Sequence, residues 1–181
     1  YTVPDTVTEI SAKAFYKANH LYDVYFPDTI TRIGHSAFFQ TIMYHNADNY
    51  INGCLYLDDY LIYFKDAETE EFSVREGTRV IADGAFAHLN VGLKRVFIPN
   101  SVVAIGETAF AWCYNLETVT IPKSVTYIGG NAFYECTKLK NVYYRGDKTH
   151  QSKIFIGKEN EKLTSASWSY NACYKTAQHT W

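Results

Sequence analysis

The sequence predicts an α/β solenoid of about five coils, with short parallel strands on the concave side and short helical turns on the convex side. Three observations lead to this fold class. A pattern of 23 residues recurs along the chain, each copy contains an alternating apolar segment, and the residues outside the copies have strand-like patterns. The 181 residues suffice for one domain with a sizeable core.

The repeat is clearest in residues 99–121 and 122–144, which align without a gap. Residues 4–26 fall on the same frame, a fourth copy begins at Pro27 and decays after Phe39, and a fifth begins at Arg75. One such unit cannot bury its apolar side chains alone, so stacked units bury each column against its copy in the next coil. The columns are Ile10, Ile33, Ile81, Ile105 and Ile128; Ala14, Ala37, Ala85, Ala109 and Ala132; Phe15, Phe38, Phe86, Phe110 and Phe133; Leu21, Leu93, Leu116 and Leu139; and Val24, Val96, Val119 and Val142.

Each repeat contains one predicted strand, because the segment Leu-x-x-Val-x-Ile alternates between apolar and other residues. Proline follows this segment at Pro27, Pro99 and Pro122 and ends the strand, since proline cannot donate a ladder hydrogen bond. Stacked strands would form a parallel sheet with about 4.8 Å between coils. We expect the Ala-Phe segment to form a short helical turn on the opposite side.

Residues 42–72 break the repeat and predict a β-hairpin insertion. The stretch INGCLYLDDYLIYF has two alternating segments around Asp58-Asp59, which favours a tight turn. We expect this hairpin to project from one edge of the solenoid. Its apolar partners are Leu55, Leu57, Leu61 and Phe64. The acidic run that follows predicts a solvated loop and contains Asp66, Glu68, Glu70 and Glu71.

The repeat is lost after Tyr144, so the predicted organisation is a solenoid at residues 1–144 and a C-terminal cap and tail at 145–181. Alternation of Ile154 with Ile156, and then through Ala166, Trp168 and Tyr170, predicts strands in this segment. A cap is needed because an open coil would expose its core columns and a sheet edge. Residues 1–3, with the sequence YTV, fit the end of another repeat strand. We therefore expect the natural protein to continue upstream.

The columns carry a family resemblance. The pattern Pro-x-[Ser/Thr]-Val-x-x-Ile-Gly-x-x-Ala-Phe-x-x-Cys-x-x-Leu-x-x-Val-x-Ile, over residues 1–144, resembles the BspA-type leucine-rich repeat. The resemblance implies a leucine-rich repeat solenoid, and a fragment of a larger secreted or cell-surface bacterial protein. It also implies a non-catalytic module for protein binding and adhesion, with a host or bacterial surface protein as partner. The C-terminal segment resembles the endings of bacterial family members at Gly157, Asn160, Leu163 and Tyr170.

No pattern of residues predicts catalysis, a cofactor or a metal site, so the sequence predicts a protein that is not an enzyme. The histidines fall at unrelated repeat positions, and no close Cys or Cys/His cluster indicates zinc, with Cys54 and Cys173 standing alone. Cys113 and Cys136 share one column. Stacked parallel side chains keep their Cβ atoms about 4.8 Å apart, whereas a disulfide prefers about 3.5–4.5 Å, so the pair is predicted to be buried thiols.

Charge and hydropathy exclude two classes of partner. The net charge of −2 leaves no basic stripe for nucleic acid. No apolar run approaches the roughly 18 residues of a membrane span, so no membrane insertion is expected.

Candidate binding residues occupy outward positions on the predicted strands, where stacking would place them on one continuous concave face. Exposed aromatics beside arginine are typical of protein hot spots. Aromatic faces also stack on sugars, and Tyr, Phe and Thr are favoured on any sheet surface. Protein binding is therefore the leading hypothesis for the function. The alternative is a carbohydrate-binding or spacer module accessory to polysaccharide-degrading machinery. The candidates are Tyr22, Asp23, Tyr25, Lys94, Arg95, Phe97, Thr118, Thr120, Asn141 and Tyr143.

The tripeptide Arg145-Gly146-Asp147 spells a motif that integrins read. In the repeat register it falls where the last strand ends. Glycine relaxes the backbone there, and aspartate can accept a nearby backbone N–H. The sequence therefore predicts a turn at these residues, and the short motif alone does not indicate a receptor.

Overall fold

The structure is a computed structural model that describes residues 1–65, 68–88 and 92–172. The predictions that concern Asp66 and Cys173 lie outside the described residues. The described chain is a parallel β-solenoid of about seven turns with few helices. Its helices are α1 (Ile42–His45), α2 (Lys148–Gln151) and α3 (Glu161–Thr164), together with a 3-10 helix at Ala47–Asn49.

The strands form three sheets. They are β1 (Glu9–Ile10), β2 (Arg32–Ile33), β3 (Tyr50–Ile51), β4 (Cys54–Leu57), β5 (Tyr60–Phe64), β6 (Glu71–Ser73), β7 (Val80–Ile81), β8 (Arg95–Phe97), β9 (Ala104–Ile105), β10 (Thr118–Ile121), β11 (Tyr127–Ile128), β12 (Asn141–Tyr144), β13 (Phe155–Ile156) and β14 (Ser167–Ser169). The main sheet has the order β14-β12-β10-β8-β6 and the second sheet the order β13-β11-β9-β7-β5-β4-β3, while β1 pairs with β2 alone.

The main sheet contains the strands that the repeat predicted. All of its strands are parallel, and Val96, Val119 and Val142 pair in one column. These valines are fully buried because alternation points them into the core. Strands β8 and β10 end just before Pro99 and Pro122, as predicted.

The second sheet was not predicted. Its short strands β7, β9 and β11 place Ile81, Ile105 and Ile128 in register, and all three are fully buried. The next position in each coil approaches the preceding coil so closely that a Cβ on Gly106 would lie 2.5 Å from the backbone nitrogen of Asp83. Glycine in that column therefore permits close stacking.

The prediction of helical turns at the Ala-Phe segments is wrong. These segments are turns with left-handed residues at repeated positions, such as Thr108 (φ 53°) and Trp112 (φ 61°). Their N–H groups bond to the next coil, as from Phe110 to the carbonyl of Ala132 at 2.8 Å. These hydrogen bonds between coils use N–H groups that a helix would instead bond within its own segment.

The hairpin exists, but it does not project from an edge. Strands β4 and β5 pair antiparallel around Asp58, whose φ is 54°, and every residue of β4 is buried. One face packs into a core formed mainly by the first coils, and the other into the main core. The first face consists of Leu55, Leu57 and Tyr60; the second of Cys54, Tyr56, Leu61 and Phe64. The hairpin is thus the wall between two cores.

The coils at residues 1–41, called here the N-terminal coils, form a stack of their own. Their core includes Ile10, Ile33 and Phe38, and Val80 and Ala104 of the second sheet pack into it. The N-terminal coils therefore cover part of the outward side of the second sheet, while the isoleucines of the same strands face the main core.

The chain has about seven turns instead of the five predicted. One additional turn begins at β5, where Tyr60 and Leu61 pair with β7. The other belongs to the C-terminal segment, where β13 extends the second sheet and β14 the main sheet. The buried amide of Asn160 holds this turn, accepting from the Phe133 N–H at 3.0 Å and donating to the Gly129 carbonyl at 2.9 Å. Both turns lack the repeat consensus, so the sequence pattern could not reveal them.

Candidate functional site

The outward side of the main sheet, called here the outer face, carries two rows of side chains. The first row contains Glu71, Arg95, Thr118, Asn141 and Ser167, and the second Ser73, Phe97, Thr120, Tyr143 and Ser169. The strand register aligns the residues of β6, β8, β10 and β12 as the repeat predicted, and β14 adds Ser167 and Ser169 from beyond the repeat. Rigid parallel strands therefore hold both rows at fixed spacing.

Exposure differs sharply along these rows. Thr120 is 0% exposed and Thr118 is also buried. Both were predicted to bind a partner, and their burial contradicts that prediction. Phe97 and Tyr143 are half-buried and stand on the strands on either side of Thr120. A threonine is much shorter than the two rings, which stand about 4.8 Å away on each side, so it lies low between them.

Charged side chains form one end of the outer face. Lys94 Nζ donates to Glu70 at 2.6 Å, and Arg95 Nε donates to Glu71 at 2.7 Å. The hydrogen bond from Lys94 lowers the pKa of Glu70. Glu68, Glu70 and Glu71 are all exposed, as predicted for a solvated acidic run, but Glu71 lies in β6 and not in a loop.

The candidates on the first coil are separate from the outer face. Tyr22 and Tyr25 are 65% and 62% exposed, and Asp23 is exposed between them. Tyr25 makes a single parallel bridge to Thr2 and does not join the main sheet. The predicted continuous face is thus divided, because the chain passes into α1 after the second coil and forms no strand there to connect the two groups.

The Arg-Gly-Asp tripeptide forms a turn, as predicted. Asp147 is the N-cap of α2 and accepts from the His150 N–H at 2.9 Å, which lowers its pKa. A Cβ on Gly146 would lie 2.6 Å from the Tyr144 ring. Arg145 Nη1 donates to Asn100 at 3.2 Å. All three residues therefore have roles within the fold.

The stacked cysteines are buried thiols, as predicted, and not a disulfide. Cys113 Sγ donates to the Phe86 carbonyl and Cys136 Sγ to the Phe110 carbonyl, both at 3.1 Å. Burial raises the pKa of Cys136. The two thiols join successive coils, and the raised pKa keeps Cys136 protonated.

The described residues contain no candidate metal centre. Across residues 1–65, 68–88 and 92–172, no group of three or more His, Cys, Asp and Glu side chains is arranged to hold a metal ion. No helix within those ranges is long and apolar enough to cross a membrane.

Two surface features escaped the sequence predictions. Phe155 is 59% exposed on the second sheet and stacks on Tyr127 with ring centres 5.3 Å apart. An open cleft also lies where the turns of the first two coils meet α1. The pairing of Phe155 with Tyr127 on neighbouring strands could have indicated the stacked aromatic pair, had the second sheet been predicted. Nothing in the repeat indicates the cleft, because it depends on where α1 departs from the solenoid.

Comparison with known proteins identifies related folds. The family described as BspA type leucine rich repeat region matches residues 1–61 and 60–171, in six copies. No curated protein matches the chain. Among solved structures, the pneumococcal vaccine antigen PcpA is 18% identical with a TM-score of 0.49, over 79% of this chain and 50% of that chain.

Two further structures are similar to this chain. A leucine rich repeat protein from T. pallidum is 26% identical with a TM-score of 0.39, over 78% of this chain and 56% of that one. A leucine rich cell surface protein from Faecalibacterium prausnitzii is 24% identical with a TM-score of 0.35, over 84% and 61%. The chain spans 50% to 61% of the length of these three proteins. The family match covers nearly all of the described residues, and the chain belongs to the BspA-type leucine-rich repeat family.

Proposed function

We propose that this chain is a non-catalytic protein-interaction and adhesion module that binds a host or bacterial surface protein through its outer face. It would act as part of a larger secreted or cell-surface bacterial protein. Family membership supports the general role, since BspA-type repeat proteins are typically surface or secreted, generally non-enzymatic, and suited to protein interaction.

The arrangement of the outer face carries this proposal. Phe97 and Tyr143 present aromatic rings on strands held in register, with buried Thr120 between them. Aromatic side chains on a rigid backbone contribute contact area at low entropic cost and recur in protein hot spots. Asn141 is exposed next to this centre.

The charged end supports a protein partner. Lys94 and Arg95 are held by Glu70 and Glu71, so both signs of charge lie beside the aromatic centre. A polar rim of mixed charge favours a partner with the complementary pattern and gives specificity. Tyr22, Asp23 and Tyr25 would form a second, smaller patch on the first coil.

Binding to arrays of extracellular matrix proteins, bacterial surface proteins and glycans tests the proposal. We expect at least one protein ligand, and the double substitution of Phe97→Ser with Tyr143→Ser should weaken that binding by about tenfold or more, the scale of a hot-spot loss. Phe155→Ser is the matched control, because it removes an exposed aromatic from the second sheet and should leave binding unchanged. Circular dichroism and Tm verify that each variant is folded.

Three results would overturn the assignment. Equal loss from Phe155→Ser would remove the outer face from the interaction. Ligands found among the glycans alone would favour the carbohydrate-binding alternative. No ligand in either array would favour a spacer.

A further inference from the structure

The cleft at the N-terminal coils has a volume of about 560 Å³. Its wall contains Lys17, Asn19, Gln40, Ile42, His45 and Asn46, together with Thr41. Ligand sites in proteins are typically about 300–1,000 Å³, so the size suits a small ligand or one unit of a polymer. No aspartate or glutamate lines it.

The backbone of this cleft is held by internal hydrogen bonds. Lys17 and Gln40 occupy the same position in consecutive coils, with φ of 59° and 61°, and the Lys17 N–H donates to the Phe39 carbonyl at 3.0 Å. Thr41 is the N-cap of α1, accepting from the Tyr44 N–H at 3.1 Å and donating to the Phe38 carbonyl at 2.8 Å. The walls are therefore fixed before any ligand binds.

The side chains keep unused hydrogen-bonding capacity. Asn19, with its amide oriented to donate, reaches the carbonyls of Lys17 and Gln40 at 3.2 and 3.3 Å, so its Oδ1 faces away from them. Asn46 Oδ1 accepts from the Asp48 N–H at 3.1 Å, which leaves its amide nitrogen for a ligand. Lys17 Nζ lies 5.2 Å from the centre of the Tyr16 ring, and the His45 ring packs edge-on against Tyr44. Both contacts leave the N–H donors of these side chains able to bind a ligand.

These groups define one ligand chemistry. A lysine and a histidine without any lining carboxylate favour an anion, even though the whole chain is acidic with a net charge of −2. Paired amides both donate and accept, as sugar hydroxyls require. Ile42, 37% exposed, adds an apolar surface for the C–H groups of a sugar ring.

We propose that this cleft binds a carboxylate-bearing sugar, such as a uronic acid or sialic acid unit of a glycan. Lys17 and His45 receive the carboxylate, while Asn19, Gln40 and Asn46 bind hydroxyl groups. The site is independent of the outer face, which is built from residues 71–169. It is a second binding function, and loss of one site need not affect the other.

NMR titration of the chain with glucuronic acid and with N-acetylneuraminic acid tests this proposal. Glucose and acetate are the comparisons. We expect at least one acidic sugar to bind about tenfold more tightly than glucose or acetate, with shifts at Lys17, Gln40 and Asn46. Lys17→Met should weaken that binding by about tenfold, the scale of a single charge-assisted contact.

Lys13→Met is the matched control. Lys13 is an exposed lysine of the same coil with φ of 60° but lies outside the cleft, so its substitution should not change the affinity. Equal binding of glucose would overturn the charge recognition, and equal binding of acetate would reduce the site to an anion site. An equal loss in Lys13→Met, or tighter binding of a polyglutamate peptide, would also overturn the proposal. An unchanged Tm in both variants excludes unfolding as the cause.

Discussion

Single glycines determine how closely the coils stack. A Cβ built on Gly34, Gly129 or Gly157 would lie 2.4–2.5 Å from a backbone nitrogen of the preceding coil, nearer than real Cβ atoms come. The obstacle is backbone rather than a flexible side chain, so it cannot move aside without separating the coils. Glycine is therefore needed at these positions because it has no side chain. None of the three has the positive φ that would call for glycine.

Substitution of Gly129 by alanine should destabilise the fold by about 1–3 kcal/mol, the usual cost of overpacking. The new Cβ would lie 2.5 Å from the Glu107 nitrogen. Gly130→Ala is the matched control, since its Cβ would meet nothing nearer than the Lys158 carbonyl at 3.7 Å. Urea unfolding measures both variants, and equal free energies of unfolding would show that the coils can separate at little cost.

At the scale of elements, the β4-β5 hairpin joins two cores. Its alternating side chains pack on both sides, Leu55 with the N-terminal coils and Leu61 with the main core. Both leucines are fully buried. Each face of the hairpin therefore supplies apolar surface to one core, so each leucine stabilises mainly the core that it faces.

Leu55→Ala and Leu61→Ala should each cost about 2–5 kcal/mol, the range for truncating a buried leucine. Hydrogen exchange should rise first in the N-terminal coils for Leu55→Ala and first in β7, β9 and β11 for Leu61→Ala. Ile51→Ala, at an exposed position of β3, serves as the surface control and should have little effect. Identical exchange patterns in the two leucine variants would mean that the cores do not open separately.

At the scale of the whole molecule, an ion cluster holds the N-terminal coils to the second sheet. Arg32 Nη2 lies 2.8 Å from Asp83 and 3.1 Å from Glu107. The Asp83 side chain is only 4% exposed and also accepts from the Glu107 N–H at 2.8 Å. The hydrogen bond to Asp83 raises the pKa of Arg32, which stays charged.

Arg32→Ala should destabilise the protein by about 1–3 kcal/mol, because it leaves a buried carboxylate with fewer donors. Arg79→Ala is the comparison. Arg79 donates to the Asp28 carboxylate and carbonyl, and the Asp28 side chain is fully exposed, so no buried carboxylate loses a donor. Such surface pairs contribute about 0–1 kcal/mol. Thermal unfolding compares the two, and a larger loss from Arg79→Ala would show that the Arg32 cluster does not hold the coils together.

Much of the solenoid could be predicted because each apolar residue packs against the equivalent residue of the next coil. The register of Ser73, Phe97, Thr120 and Tyr143 follows from that periodicity alone. The second sheet could not be predicted, since strands of two residues are too short to show alternation. The left-handed turns were hidden because residues such as Trp112 and not glycine occupy them.

The candidate site divides in the same way. Which side chains share the outer face was encoded in the sequence, whereas the burial of Thr120 depends on its neighbours in space. The separation of Tyr25 from that face, and the cleft beside Lys17, both arise where the second coil passes into α1.

The sequence by itself determined the repeat, the columns and the family, because these depend on contacts between one coil and the next. Only the tertiary structure decided the place of the hairpin and the division into two cores. The alternating sequence pattern of a hairpin is the same whether the hairpin projects from the solenoid or is buried within it. Its burial depends on two distant parts of the chain meeting across it, and no local pattern records such a meeting.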